Sequence, residues 1–200
     1  MQIATKFTLC RILCAPIFYI LFFLPVWFQQ YPFLAPLSVY LMLPLLAFAE
    51  FTDYLDGKYA RSLNQVSDFG KVFDPFADVL LNITVFFCLV ISGYMPAFIL
   101  LLIIYREFCM TFIRLVAVQE GVTIGARMGG KTKTVLYILS SFFTLTIESA
   151  LRLGLLNGED SLVKTGKLIC LALFILCLAL SYISFADYLI SFRKVFKKLG

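Results

Sequence analysis

Four aspartates are spaced so that they could hold divalent cations near a membrane surface. Asp53 and Asp56 end one apolar stretch, and Asp74 and Asp78 begin the next. On a helix, residues three or four apart share one face. If the two stretches pack as an antiparallel pair, four carboxylates converge, and they repel one another unless cations lie between them. A pair of bridged divalent ions suits phosphoryl transfer, because it neutralises phosphate charge and clamps the attacking and leaving oxygens.

Two small residues and one absent residue type narrow this chemistry. Gly57 and Ala60 share the face of the first aspartate pair and leave clearance for a nucleotide. The sequence has no histidine, which excludes Ser-His and Cys-His catalysis, His-ligated zinc and axial-His haem. Acid–base or metal chemistry must therefore use carboxylates, which favour hard ions such as Mg²⁺ or Mn²⁺. The six cysteines form no CxxC pair and lie in apolar stretches, so we interpret them as buried apolar residues.

The elements that carry these residues are predicted to be membrane helices. Of 200 residues, 62% are hydrophobic and 14% are charged, and the mean hydropathy is +0.94. A soluble domain is less apolar and more charged. We predict an all-α integral membrane protein, one domain over residues 1–200, with a short interfacial segment at 1–11 and six transmembrane helices. The predicted spans are 12–29, 33–56, 75–93, 96–118, 134–156 and 167–189.

The distribution of lysine and arginine predicts the orientation. These residues lie before span one, between spans two and three, between spans four and five, and in a basic tail at 190–200. The loops after spans one and three have none, and only Lys164, after span five, dilutes the pattern. Positive charge marks the cytosolic side. We therefore expect a multi-pass cell-membrane protein with both termini and the aspartates on the cytosolic side.

The segment from residue 53 to residue 78 resembles the full signature of the CDP-alcohol phosphotransferase family. The eight constrained positions, all filled, are Asp53, Asp56, Gly57, Ala60, Arg61, Gly70, Asp74 and Asp78. The six-span layout resembles the family fold over nearly the whole chain. The resemblance implies that an alcohol hydroxyl attacks the β-phosphorus of a CDP-linked lipid and that CMP leaves.

The same resemblance implies residue roles. The metal ligands for two divalent ions, Mg²⁺ or Mn²⁺, are Asp53, Asp56, Asp74 and Asp78. Asp78 is also the general base that takes the hydroxyl proton. The residues of the CDP-lipid site are Asp56, Gly57, Ala60, Arg61 and Gly70, with Arg61 on a phosphate. The family resemblance also implies a homodimer within membrane lipid, and no nucleic-acid partner is expected.

Span four and the loop after it indicate an acceptor that carries its own phosphate. Arg106 and Arg114 lie on one side of span four, and Lys131 and Lys133 lie in the following GGKTKT segment. An arginine near mid-span is costly unless it pairs or faces water. Four basic residues around one cavity would bind phosphate. The alternatives are that Glu107 pairs with another helix in a structural role and that the lysines reflect only the orientation bias.

Three short motifs resemble the phosphatidylglycerophosphate synthase branch of the family. They are YREF at 105–108, GGKTKT at 129–134 and DPFAD at 74–78, the last also found in eukaryotic-type cardiolipin synthases. This branch uses CDP-diacylglycerol as donor and glycerol 3-phosphate as acceptor. The N-terminal ATKF and Val79 depart from its pattern. The alternatives are another branch, acting on inositol phosphate, phosphatidylglycerol or serine, and a cation transporter, against which the interfacial, one-sided placement of the aspartates argues.

Other polar residues have smaller predicted roles. Thr8 and Arg11 fit the N-terminal pattern of the branch. Asn82, one turn after Asp78, is a candidate for orienting the base. Glu148 and Arg152 are four residues apart in span five and are predicted to pair with each other.

Overall fold

The computed structural model describes residues 3–62, 68–119, 128–157 and 160–191, and within them the side chains of 7–52, 70, 73–119, 129–157 and 160–190. Every regular element in these ranges is a helix. The helices are α1 (Ile3–Trp27), α2 (Leu34–Ser62), α3 (Asp68–Ile91), α4 (Ala97–Gln119), α5 (Met128–Arg152) and α6 (Ser161–Ser191). The predicted all-α fold class is confirmed. The basic tail lies almost wholly outside the described residues.

Five of these helices are long and apolar enough to cross a membrane, namely α1, α2, α3, α5 and α6. The one remaining predicted span, the fourth, corresponds to α4, whose 23 residues include Arg106, Glu107 and Arg114. Its outward side remains apolar, with Phe98 and Phe112 exposed by 62% and 66%. Large apolar side chains on the outside of a helix bundle are expected where the surroundings are lipid. The chain is therefore a multi-pass membrane protein.

The first helix occupies a position that the sequence did not indicate. It packs against both α2 and α3, whereas no substantial contact between α2 and α3 occurs among the described residues. Among the described residues α1 thus contacts both aspartate-bearing helices, and the antiparallel packing of spans two and three stays a prediction. The residues predicted as an interfacial segment continue into the first span without a break, since α1 begins at Ile3.

An aromatic core holds the cavity-forming helices together. Phe86 of α3 packs edge-on against Tyr137 of α5 and Phe174 of α6, with ring centroids 5.1 Å and 5.3 Å apart. Such pairs contribute beyond their buried area. Because Phe86 lies two turns beyond Asp78, this packing fixes the start of α3 relative to α5.

The turns define two ends of the bundle. Gly93 and Gly154, with φ of +77° and +69°, follow α3 and α5. The amide of Tyr94 donates to the carbonyl of Leu89, and that of Leu155 to the carbonyl of Ala150, which ends each helix with a left-handed glycine. Helices α3 and α5 therefore end on the same side, where α4 and α6 begin. The opposite end receives the first turns of α3 and α5 and the last turns of α4 and α6.

Candidate active site

A cavity of about 470 Å³ lies at this opposite end, between α3, α4 and α5. Its charged lining residues are Glu50, Asp78, Arg106, Glu107, Arg114, Lys131 and Lys133. All four basic residues predicted to bind an acceptor phosphate thus share one cavity with the predicted general base. The sequence analysis expected these four residues around one cavity, and the structure places all of them in its lining.

Two aspartates of α3 are contacted by buried polar residues of α1. Thr8 donates a hydrogen bond from Oγ1 to Oδ1 of Asp74, and Arg11 forms an ion pair through Nη1 with Oδ1 of Asp78. Thr8 and Arg11 are 0% and 1% exposed. A buried guanidinium requires such a partner, because its desolvation is otherwise costly. Helix α1 therefore orients both carboxylates of the first turns of α3.

The Asp78 carboxylate remains accessible despite this contact, since 32% of its side chain is exposed. It borders the cavity from α3. Asn82 donates from Nδ2 to the main-chain carbonyl of Asp78, 2.9 Å away. The predicted role of Asn82 therefore differs in detail, because its hydrogen bond reaches the backbone and not the carboxylate.

The remaining residues of the aspartate signature lie in the last turns of α2 and the first turn of α3. The backbones of Asp53, Asp56, Gly57, Ala60 and Arg61 are helical in the last turns of α2, and their side chains are outside the described residues. Gly70 is half-buried in the first turn of α3. The convergence of all four carboxylates is consequently not tested.

The described donors fit a hard divalent ion in type. Asp74 and Asp78 offer carboxylate oxygens one helical turn apart, and such oxygens suit Mg²⁺ or Mn²⁺. Among the side chains that the structure describes, no three potential ligands lie together. A complete site would therefore need the aspartates of α2 as well.

On the other side of the cavity, Glu107 of α4 joins two of the basic residues. Its Oε2 accepts a hydrogen bond from Arg106 Nη1 at 2.9 Å, and its Oε1 accepts from Lys133 Nζ at 2.5 Å. The hydroxyl of Tyr137 also donates to Oε1, at 3.2 Å. Arg106, Glu107, Lys133 and Tyr137 are all buried and form what we call the cavity cluster. Its contact with Lys133 joins α4 to α5, which is the alternative that the sequence left open for Glu107.

Arg106 is fixed from α6 as well. Its Nε donates to the main-chain carbonyl of Ser181 at 3.1 Å, and its guanidinium lies over the ring of Phe185, 5.9 Å from the centroid. Two of its three nitrogens are thus engaged by the protein. Arg106 presents a pre-oriented charge to the cavity but not a free planar fork.

Arg114 and Lys131 are the basic residues most available to a ligand. The Nε of Arg114 is buried and has no hydrogen-bond partner within the described part of the chain. A buried donor without a partner is unfavourable, so a ligand acceptor at this position would satisfy it. Lys131 is exposed at the cavity wall.

A second buried ion cluster lies at the other end of the bundle. Glu148 and Arg152 pair at 2.8 Å between Oε1 and Nε, which confirms the predicted i, i+4 contact. Tyr94 donates to Oε2 of Glu148 at 3.0 Å. Arg152 Nη1 donates to Ser38 Oγ at 3.1 Å and to the carbonyl of Phe22 at 2.9 Å. We call Ser38, Tyr94, Glu148 and Arg152 the distal cluster.

Comparison with known proteins agrees with the signature. A family model described as CDP-alcohol phosphatidyltransferase matches residues 1–159. A CDP-diacylglycerol–glycerol-3-phosphate 3-phosphatidyltransferase of Treponema pallidum is 41% identical over 157 residues, which are 78% of this chain and 71% of the relative. The Bacillus subtilis protein of that name is 38% identical over 142 residues, 70% of this chain and 74% of the relative. That of Pseudomonas fluorescens is 32% identical over 177 residues, 84% of each. The resemblance drawn from the sequence is therefore confirmed, and the region matched by the family model contains every charged residue of the cavity.

Proposed function

Because the chain belongs to the CDP-alcohol phosphatidyltransferase family, we propose that it transfers a phosphatidyl group from CDP-diacylglycerol to glycerol 3-phosphate. The products are phosphatidylglycerophosphate and CMP, and the enzyme acts in phospholipid synthesis. The names of the relatives in T. pallidum and B. subtilis support this donor and acceptor. The observation that carries the proposal is the single cavity that has Asp78 on one side and four basic residues on the other.

The acceptor's phosphate is proposed to bind at the basic side of the cavity. Arg114 and Lys131 would make the first contacts, because the Nε of Arg114 has no partner in the described part of the chain and Lys131 is exposed. Arg106 and Lys133 would add charge from fixed positions held by Glu107. A guanidinium suits this task since its planar donors match phosphate oxygens.

The acceptor's hydroxyl is proposed to lie next to Asp78. As the hydroxyl oxygen forms its bond to the β-phosphorus of the donor, its proton passes to the Asp78 carboxylate. The bond between that phosphorus and the bridging oxygen of CMP breaks, and CMP leaves with the electron pair. Arg11 keeps the carboxylate oriented through the whole step, because it is buried and paired with Oδ1.

The donor site is proposed to lie where α2 meets the cavity. Members of the family generally depend on a divalent metal. Two such ions, Mg²⁺ or Mn²⁺, would neutralise the diphosphate and stabilise the attacking and leaving oxygens. The residues proposed to hold them are Asp53, Asp56, Asp74 and Asp78. The residues proposed to contact the CDP-lipid are Asp56, Gly57, Ala60, Arg61 and Gly70.

The membrane setting adds two further proposals. We propose that the cavity end of the bundle faces the cytosol of the cell membrane, as the lysine and arginine distribution indicates. We also propose a homodimer, which the family resemblance implies. Chemical cross-linking in native membranes would test the second proposal, and a species of monomer mass alone would contradict it.

Purified protein in detergent tests the main proposal directly. It is incubated with CDP-diacylglycerol, Mg²⁺ and one alcohol at a time, and CMP release is followed. The panel comprises glycerol 3-phosphate, glycerol, inositol phosphate, inositol, serine and phosphatidylglycerol. We expect release with glycerol 3-phosphate alone and none in excess chelator. Release with another member of the panel instead would assign a different branch, and no release with any alcohol would contradict a transferase.

A further inference from the structure

The cavity cluster contains a carboxylate where a phosphate-binding site would not be expected to have one. Glu107 is 4% exposed, lines the cavity and accepts hydrogen bonds from both Arg106 and Lys133. A negative charge at this position weakens the binding of any anion nearby. The proposed function uses Glu107 to hold Arg106 and Lys133 in place but gives no task to its negative charge.

We infer that Glu107 is a positioning residue and internal counter-ion that sets the affinity of the cavity for the acceptor's phosphate. This inference rests on the proposed function, since it assumes that the phosphate binds beside Arg106 and Lys133. In this role Glu107 holds the two basic groups in place before a ligand arrives. It also reduces their combined charge, so that a phosphate-bearing product can dissociate.

The contacts support positioning over simple burial. Lys133 is 8% exposed, and a buried ammonium without a counter-ion is strongly destabilised. Both oxygens of Glu107 are engaged by groups that line the cavity, from α4 itself and from α5. The same carboxylate thus fixes the distance between the two helices that form the basic side of the cavity.

Charge-altering variants separate this role from a purely structural one. With Arg106 and Lys133 positive and Glu107 negative, the three groups together carry one positive charge. With phosphate bound, whose negative charge keeps Lys133 protonated, Glu107→Gln raises that to two. Lys133→Gln lowers it to zero, and the double variant restores one. Glutamine is nearly isosteric with glutamate and still accepts hydrogen bonds, so the first change removes mainly charge.

The inference predicts that the KM for glycerol 3-phosphate follows this charge. Removing one charge roughly 12 Å from an anion, in a medium of effective dielectric about 20, changes anion affinity by about tenfold. We therefore expect KM about tenfold lower in Glu107→Gln, about tenfold higher in Lys133→Gln, and near the parent value in the double variant. The KM for CDP-diacylglycerol should change less. Glu148→Gln, the same substitution in the distal cluster, is the matched control and should leave both KM values unchanged.

Two outcomes would overturn the inference. If Lys133 is only a direct ligand, the double variant keeps the raised KM of Lys133→Gln. If the cluster is only structural, all three variants lose thermal stability and kcat while KM for glycerol 3-phosphate stays constant.

A binding measurement keeps this result separate from the proposed function. Inorganic phosphate should raise the thermal unfolding midpoint of the detergent-solubilised parent, more strongly that of Glu107→Gln, and less that of Lys133→Gln, because a ligand of the native state stabilises it. Measuring this order of the three midpoint shifts requires neither the acceptor substrate nor catalytic turnover. If glycerol 3-phosphate fails as a substrate while the order holds, only the proposed function fails. If transfer occurs but the order is absent, only the role of Glu107 fails.

Discussion

The bundle has a buried ion cluster at each end, and the two differ in what surrounds them. In the cavity cluster, Glu107 is shared by Arg106 and Lys133, and all three groups line the cavity. In the distal cluster, Arg152 uses a carboxylate, a hydroxyl and a main-chain carbonyl, and its guanidinium stacks 4.2 Å from the centroid of Phe22. Both arrangements compensate buried charge. All three charged groups of the cavity cluster line its cavity. Of the distal cluster, Tyr94 lines a cavity of about 460 Å³, and the ion pair of Glu148 and Arg152 lies outside that lining.

A buried ion pair is therefore weak evidence of function by itself. Replacing or removing such pairs has effects of either sign on stability, depending on what remains unpaired. The informative differences here are the charged lining of the cavity and the Nε of Arg114, which has no hydrogen-bond partner among the described residues. In the distal cluster, Tyr94 is a neutral donor, because burial and the nearby Glu148 carboxylate raise the pKa of its hydroxyl. These differences support the proposal that the cavity end binds the acceptor, and they favour a stabilising role for the distal cluster.

The largest expected effect comes from removing the base at the cavity end. Asp78→Asn should lower kcat by about 10²- to 10⁴-fold, because it removes a positioned acid–base group. Asp74→Asn, which removes a proposed metal ligand, should abolish detectable transfer. CMP release under saturating substrates measures both.

The control for this loss is retention of the fold. Asp78→Asn should lower the thermal unfolding midpoint, because the buried guanidinium of Arg11 loses its charged partner. The rate is therefore measured well below that midpoint, where donor binding should persist. A variant that kept more than about a tenth of the parent rate would assign the base to another residue.

The next effect concerns Arg114, which lines the cavity. Arg114→Ala should raise the KM for glycerol 3-phosphate about 10- to 150-fold, the consequence of losing a charge-assisted hydrogen bond of about 1.5–3 kcal/mol. The KM for CDP-diacylglycerol should be nearly unchanged. Arg114→Lys should rescue only partly, since lysine lacks the planar fork. Equal changes in both KM values would show that Arg114 does not discriminate between the two substrates.

At the distal end we expect a substitution to lower stability and to leave the kinetic constants unchanged. Glu148→Gln should destabilise the protein by about 1–3 kcal/mol, because the guanidinium of Arg152 loses its charged partner in a mostly buried position. Thermal unfolding in detergent measures the loss, and the kinetic constants of the surviving folded protein should equal those of the parent. An altered acceptor KM would break the division between the two ends.

The sequence predicted the helices and the candidate charged residues, but it did not predict most of the contacts between helices. Six apolar segments and their order follow from hydrophobicity and turns, and the Glu148–Arg152 pair follows from helical spacing. The position of α1 between two helices does not, since packing partners depend on shape across the whole bundle. The contacts of Thr8 and Arg11 with Asp74 and Asp78 are missed for that reason.

A sequence signal for those α1 contacts nevertheless exists. Thr8 and Arg11 are three residues apart on one helical face, and a basic residue buried in an apolar helix needs an acidic partner. The same reasoning anticipates Glu107 as a partner for a basic residue. It does not anticipate that one carboxylate would be shared between two predicted phosphate ligands, because that depends on how α4 and α5 face each other.

The smallest expected effects come from two glycines where α5 and α6 approach closely, one at each end. A Cβ added to Gly130 would lie 3.3 Å from the hydroxyl of Tyr188, which also lines the cavity, and one added to Gly166 would lie 2.8 Å from Cδ1 of Ile147. Gly130→Ala should raise the acceptor KM a few-fold, because Tyr188 must shift at the cavity wall beside Lys131.

Gly166→Ala is the matched control at the distal end. The end of the Ile147 side chain can rotate away, and the gain in helix propensity of about 1 kcal/mol offsets that adjustment, so stability should change by less than about 1 kcal/mol. Its acceptor KM should equal the parent value. Both variants are measured for KM and for the unfolding midpoint. Equal changes of the acceptor KM in the two variants would mean that the spacing of α5 and α6 affects the cavity from either end. The proposed division into a binding end and a stabilising end would then be wrong.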